Sequence, residues 1–358
     1  MKPSRMVALI AVVVVVALVA LYAIAAITQS KPPASVWVPG AGYPVQLGGT
    51  YAIAGQQCFD SGSYVTCVGG QDYNAGPRTE VYSSSPVSST SANITRWTAE
   101  AQYPQDINGQ SCVVDAGFVY CVGGTDDPNG DDTNSSYYAP LTGGDGGIGA
   151  WNSTTAFPVP IDSQSCVGSS GYVYCVGGNN ETDGTDADSV ATNSVWFAPL
   201  SSAGIGRWSH TTAYPEGVLF PSCFAAGGYV YCVGGADSND NPVSTDYFAP
   251  LSSSGVGAWT QTTAYKLSAS GQACAVSSGL AYCVGGEEAD GTYTAAAYYA
   301  SLSSGGIGAW SQMPAYPLSS QTTCTILSGE MYCVGGFDAT QTGETAGVYH
   351  APLTSLSG

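Results

Sequence analysis

Residues 166–178 read CVGSSGYVYCVGG: two cysteines nine positions apart, a Ser170-Gly171 pair midway between them, and a Gly-Gly doublet after the second. Alternating apolar residues around a two-residue turn predict a β-hairpin, because such a pair supplies the positive φ values of a tight turn. Counting outward from that turn, Cys166 and Cys175 face each other at a non-hydrogen-bonded position. There the Cα atoms approach to about 4.5 Å, within reach of a disulfide.

The pattern recurs along the chain, with CVGG starting at Cys67, Cys121, Cys175, Cys232, Cys283 and Cys333. Their partners nine positions earlier are Cys58, Cys112, Cys166, Cys223, Cys274 and Cys324. All twelve cysteines are thereby assigned to hairpin bridges in an oxidising compartment. Closing a loop of about ten residues contributes at most roughly 2.7 kcal/mol per bridge. Metal binding by these thiols is the rejected alternative, since His210 and His350 are the only histidines and no close CxxC pair exists.

Each repeat continues in one order: an acidic loop, an aromatic strand such as Tyr137-Tyr138-Ala139-Pro140-Leu141, a Gly/Ser loop, and a strand opening on Trp. Four short strands per unit, a Gly-Gly after the second and a period near 50 resemble the kelch repeat. That resemblance implies an all-β, six-bladed β-propeller over nearly everything after residue 34, and a lone blade with two apolar faces needs neighbours to cover them.

Trp and Tyr/Phe recur six apart in the fourth strand: Trp97 with Tyr103, Trp151 with Phe157, Trp208 with Tyr214, Trp259 with Tyr265 and Trp310 with Tyr316. The sixth unit ends without such a pair, and Trp37 with Tyr43 supplies it. Residues 34–47 are therefore expected to close blade six from the N-terminus, within a propeller domain of residues 34–358.

Met6 to Ile27 carries no charge and follows Lys2 and Arg5. As a helix it spans roughly 33 Å, enough to cross a bilayer. The expected organisation is a cytoplasmic segment 1–5, a transmembrane helix or signal anchor 6–27, a tether 28–33, and the propeller on the extracellular side of a single-pass membrane protein. Asn93, Asn134, Asn152 and Asn180 begin N-glycosylation sequons.

Charged residues form 9% of the chain and the net charge is −19, which excludes nucleic acid and other polyanions as partners. Sparse ionisable groups also suit an acidic surrounding. The carboxylates concentrate after CVGG: Asp126, Asp127, Asp131 and Asp132; Glu181, Asp183, Asp186 and Asp188; Asp237 and Asp240; Glu287, Glu288 and Asp290. These loops are expected to share one face and form an acidic rim for binding. Loop oxygens such as those of 179–184 are candidates for weak Ca²⁺ sites, the alternative being a solvated polar surface; no other cofactor is expected.

Candidates for catalysis are weak. Tyr349-His350 is similar to the Tyr-His copper ligands of kelch-type radical oxidases, yet His350 aligns with Tyr138, Phe197, Phe248 and Tyr299, and His210 with Ser153, Gln261 and Gln312. Arg78, Arg96 and Arg207 lie on different strands and form no carboxylate-binding cluster. The expected function is non-catalytic binding of a glycan or an envelope protein. The alternatives are a structural subunit of a surface layer, filament or membrane complex, and an extracellular carbohydrate-active enzyme needing two carboxylates.

Overall fold

A computed structural model describes residues 36–44, 53–72, 76–126, 131–142, 147–180, 191–338 and 343–357. The expected anchor at 6–27 lies outside these residues, and none of the described helices is long and apolar enough to cross a membrane. Residues 37–358 form one compact unit, a six-bladed β-propeller whose one helix among the described residues is the short Leu353–Leu356.

Each blade is an antiparallel sheet whose first two strands are the cysteine hairpin. In blade three Ser165–Ser169 pairs with Tyr172–Val176, which pairs with Val195–Ser201, which pairs with Ser209–His210. Ser170 and Gly171 take φ of 52° and 79°, the tight turn read from the sequence. Cys166 and Cys175 stand opposite one another, and all six expected disulfides form, with Cα separations of 4.0–4.1 Å. Each bridge stays within its blade. In blades two to six the fourth strand begins one residue after the Trp, so the Trp precedes the strand rather than opening it.

The ring closes as expected. Val38–Pro39 pairs with Val348–Pro352, Val38 opposite His350 and Pro39 opposite Tyr349, completing blade six. Of the segment 34–47, these two residues form the strand, and 34–35 and 45–47 lie outside the described residues. A single cluster then buries Tyr43, Ile53, Cys58, Val65 and Cys67 against Leu327, Tyr332, Val334 and Val348, so the core at the seam is built like those between other blades.

Two devices that recur in all six blades join blade to blade. Each Trp packs edge-on against the aromatic ring one blade back, with centroids 4.9–5.1 Å apart. Its indole N–H donates to a carbonyl of that blade: Trp37 to Pro314, Trp97 to Ala41, Trp151 to Ala101, Trp208 to Thr155, Trp259 to Thr212 and Trp310 to Thr263. This belt of six returns on itself, and each aromatic pair contributes about 0.5–1.5 kcal/mol beyond its buried area.

The second device is the Gly-Gly doublet. Its first glycine has φ of 55–69° and its second 98–109° in all six blades. The chain entering the next blade passes so close that a Cβ on the first glycine would collide with the carbonyls of Ile107, Ile161, Val218, Ala269, Ser320 and Ile53 in turn. The N–H of the second glycine donates to those same carbonyls at 2.7–3.0 Å. CVGG is thus a hairpin end followed by the seat of the neighbouring blade's entry chain.

The links that enter each blade pair with the loops that follow CVGG: Ala54 with Gln71, Asn108 with Thr125, Asp162 with Asn179, Leu219 with Ala236, Ser270 with Glu287, and Gln321 with Phe337. The described residues that follow CVGG and the blade entries therefore share one face.

A candidate binding cavity on the loop face

On that face the six first strands surround a cavity of about 420 Å³, a size that accommodates a small ligand. Its wall repeats with the blades. Gln56, Gln110, Gln164 and Gln272 each stand two residues before a blade's first cysteine and are buried. Each Nε2 reaches back to the preceding blade and donates to the carbonyl of Val334, Val68, Val122 and Val233 respectively, at 2.6–2.8 Å. In Gln110, Gln164 and Gln272 the Oε1 meets no protein donor. Blades four and six carry Pro221 and Thr322 in this slot.

One residue earlier the entry chain bends through a left-handed conformation. Gly55, Gly109 and Gly271 have φ of 68°, 65° and 62°, as a glycine permits. Ser163 and Phe220 occupy the same slot at 56° and 50°, where a bulky side chain is strained. The bend is enforced by backbone hydrogen bonds that run around the cavity: Gly109 N–H to Gly55 O, Phe220 N–H to Ser163 O, and Gly271 N–H to Phe220 O, at 2.9–3.2 Å. Phe220 is 41% exposed and is the one exposed Phe, Tyr or Trp among the described residues. In blade six the slot holds Gln321, at a bulge in the strand. Phe337, stacked on Tyr293 at 5.9 Å, lines the cavity as well.

The acidic residues named from the sequence divide. Asp127, Asp183, Asp186 and Asp188, with Glu181, lie outside the described residues. Asp237 spends its Oδ1 on the backbone N–H groups of Asn239 and Asn241, and the Asn241 bond leads in holding its carboxyl below the usual range. Asp290 does the same with Thr292, whose hydroxyl leads in lowering it. The Asp126 N–H bonds the Asp131 carbonyl, and Asp132 accepts from Thr125. Burial, and then the charge of Asp240 across the blade boundary, pushes Glu287 up. Glu288 closes its own turn through Thr292. Asp132, Asp237 and Asp290 thus spend carboxylate oxygens on their own loops. Among the described residues no three His, Cys, Asp or Glu side chains gather to hold a metal ion.

Asn93, Asn134 and Asn152 are exposed, whereas Asn180 is half-buried. His350 lies in the third-strand slot expected for it, opposite Tyr332, buried, with its Nδ1 2.9 Å from Glu330 Oε2. His210 pairs opposite Trp196 on the outer strand, where Gln261 pairs with Tyr247 and Gln312 with Tyr298. The two histidines belong to separate blades and neither lines the cavity.

Sequence reasoning missed the cavity ring. Its signal was present in the recurrence of Gln two residues before a first cysteine, upstream of the hairpin that drew attention. It also missed Asp246, which is 0% exposed where other blades place Val81, Ser136, Val195, Ala297 and Val348. Burial pushes its carboxyl up to about 8. Its Oδ1 accepts from Gly234 N–H at 3.1 Å, whereas the matching glycines of the other blades donate to backbone carbonyls.

Fold and cavity together define a six-bladed, disulfide-stapled propeller with a polar central cavity opening among its loops. No protein-family model matches the chain, and no curated protein matches it. A solved structure described as "Structure of YjhT" superposes with a TM-score of 0.66 over 86% of this chain and 95% of that one, at 13% identity. A likeness at that identity shows the fold.

Proposed function

We propose that this chain is a kelch-type binding module, anchored in the membrane by residues 6–27 and holding its propeller outside the cell, where the loop face engages a glycan or an envelope protein without transforming it. The observation that supports it is the cavity itself. Every blade contributes to it, it opens on the face that carries the variable loops, and its wall departs from the repeat at Ser163, Phe220 and Gln321 where the tryptophan belt does not. Six disulfides and exposed sequon asparagines suit an oxidising exterior.

Catalysis by paired carboxylates finds poor support, because Asp162 is the one acid among the described residues that line the cavity. Its Oδ2 accepts from the neighbouring Ser163 hydroxyl at 2.6 Å. The test is a glycan array and an affinity pull-down from the source envelope, both with the whole chain. Specific capture in either supports the reading, and blanks in both overturn it.

A further inference from the structure

We infer that the mouth of the central cavity is a subsite for one uncharged, hydroxyl-rich sugar unit, with Phe220 as the surface on which the sugar ring stacks. This rests on the binding reading above and names its ligand class. The slot that Phe220 fills is a glycine in blades one, two and five. The backbone there is left-handed because its N–H must reach Ser163 O and its carbonyl must receive Gly271 N–H. A phenylalanine gains nothing from that conformation. Its ring is not used in the core either, since it remains 41% exposed at the cavity edge. Strain held at an exposed aromatic beside a cavity is the arrangement by which a fold presents a ligand contact.

The chemistry of the wall selects the ligand. Asp162 apart, the polar side chains of the lining are amides and hydroxyls, among them Gln57, Gln71, Asn108, Ser163 and Gln321, which exchange hydrogen bonds with hydroxyl groups. No Lys or Arg is among the described lining residues, and the chain carries a net charge of −19, so an anionic ligand finds no counter-charge and is repelled on approach. An apolar ligand would strand the amides unpaired. A neutral sugar satisfies both requirements. Its equatorial hydroxyls face the amides, and its C–H face, slightly positive, meets the negative face of the aromatic ring.

The test is calorimetric titration of the whole chain with a panel of neutral hexoses, N-acetylhexosamines and their short oligomers, set against uronic acids and CaCl₂. The expected result is binding of at least one neutral sugar and none of the uronic acids. Phe220→Gly should weaken that sugar at least tenfold while raising the melting temperature by roughly 2–4 °C, because it removes backbone strain. Phe220→Tyr should keep both affinity and melting temperature. Undiminished sugar affinity in Phe220→Gly, equal binding of uronic acids, or binding of Ca²⁺ alone would overturn the inference. A panel that is wholly silent overturns it too, and envelope-protein capture by the same preparation would then leave the broader binding reading standing.

Discussion

The propeller carries two concentric six-fold rings, and they treat their repeat differently. In the outer belt all six blades place the same Trp edge-on against the preceding blade's aromatic and give its N–H the same kind of carbonyl partner. In the inner ring the slot three residues before the first cysteine reads Gly55, Gly109, Ser163, Phe220, Gly271 and Gln321. Uniformity stands where blades must grip each other and where any substitution opens a gap. Variety stands where side chains meet the cavity, and in Ser163 and Phe220 it is retained against an unfavourable backbone conformation.

The comparison breaks most visibly in the outer belt. Trp208 is buried and fills the space beside Phe157, so Trp208→Ala should lower unfolding free energy by about 3–5 kcal/mol. Urea titration measures it. Trp37→Ala should cost a similar amount, because the closing strand is held by the same contacts as every other blade; a negligible loss there would mean that blade six is not closed from the N-terminus.

Blade four offers the next test, since Asp246 puts a carboxyl into a buried slot that Val, Ala or Ser fills in the other blades. Its folded carboxyl titrates near 8, while an unfolded one titrates near 4. Between those values the native state holds a proton that the unfolded chain has released. Stability is therefore full below about pH 4 and falls as pH rises toward 8, by on the order of 3 kcal/mol after discounting for relaxation. Asp246→Asn keeps an acceptor for Gly234 N–H and should flatten the profile, read as urea midpoints at pH 5 and pH 8. An unchanged slope would remove Asp246 as its source.

A smaller effect is expected at the staples. Replacing Cys166 and Cys175 together by Ser should cost about 2 kcal/mol, below the loop-closure ceiling because the hairpin is already local in the unfolded chain. Removing any other pair should cost much the same, since each bridge spans the same register within its own blade. A far larger loss at one pair would identify a blade that depends on its bridge to fold.

Sequence periodicity made the outer architecture legible, because hairpin register, Gly-Gly doublets and the Trp–Tyr spacing are local patterns that a repeat copies intact. Trp37 and Tyr43 even revealed the closing strand. The cavity was less legible for a physical reason. It is assembled from single residues contributed by six blades, each about fifty positions from the next, and it consists of the places where the pattern lapses. Phe220 reads as one more apolar residue before Pro221 until its neighbours in space, Ser163 and Gly271, show that its slot is a left-handed turn. The acidic loops, conspicuous in composition, prove to spend several carboxylates on their own turns, as Asp237 and Asp290 do.

The most direct measurement sets one substitution from each ring side by side, with melting temperature and neutral-sugar affinity recorded for both. Trp208→Phe, in the outer belt, should lower the melting temperature and leave affinity within about twofold, because distant sites act independently. Phe220→Gly, in the inner ring, should raise the melting temperature and abolish most of the affinity. Opposite signs in the two columns are the expected result. If Phe220→Gly destabilises the propeller, or if both substitutions move stability and affinity together, then the separation of a holding ring from a binding ring is contradicted.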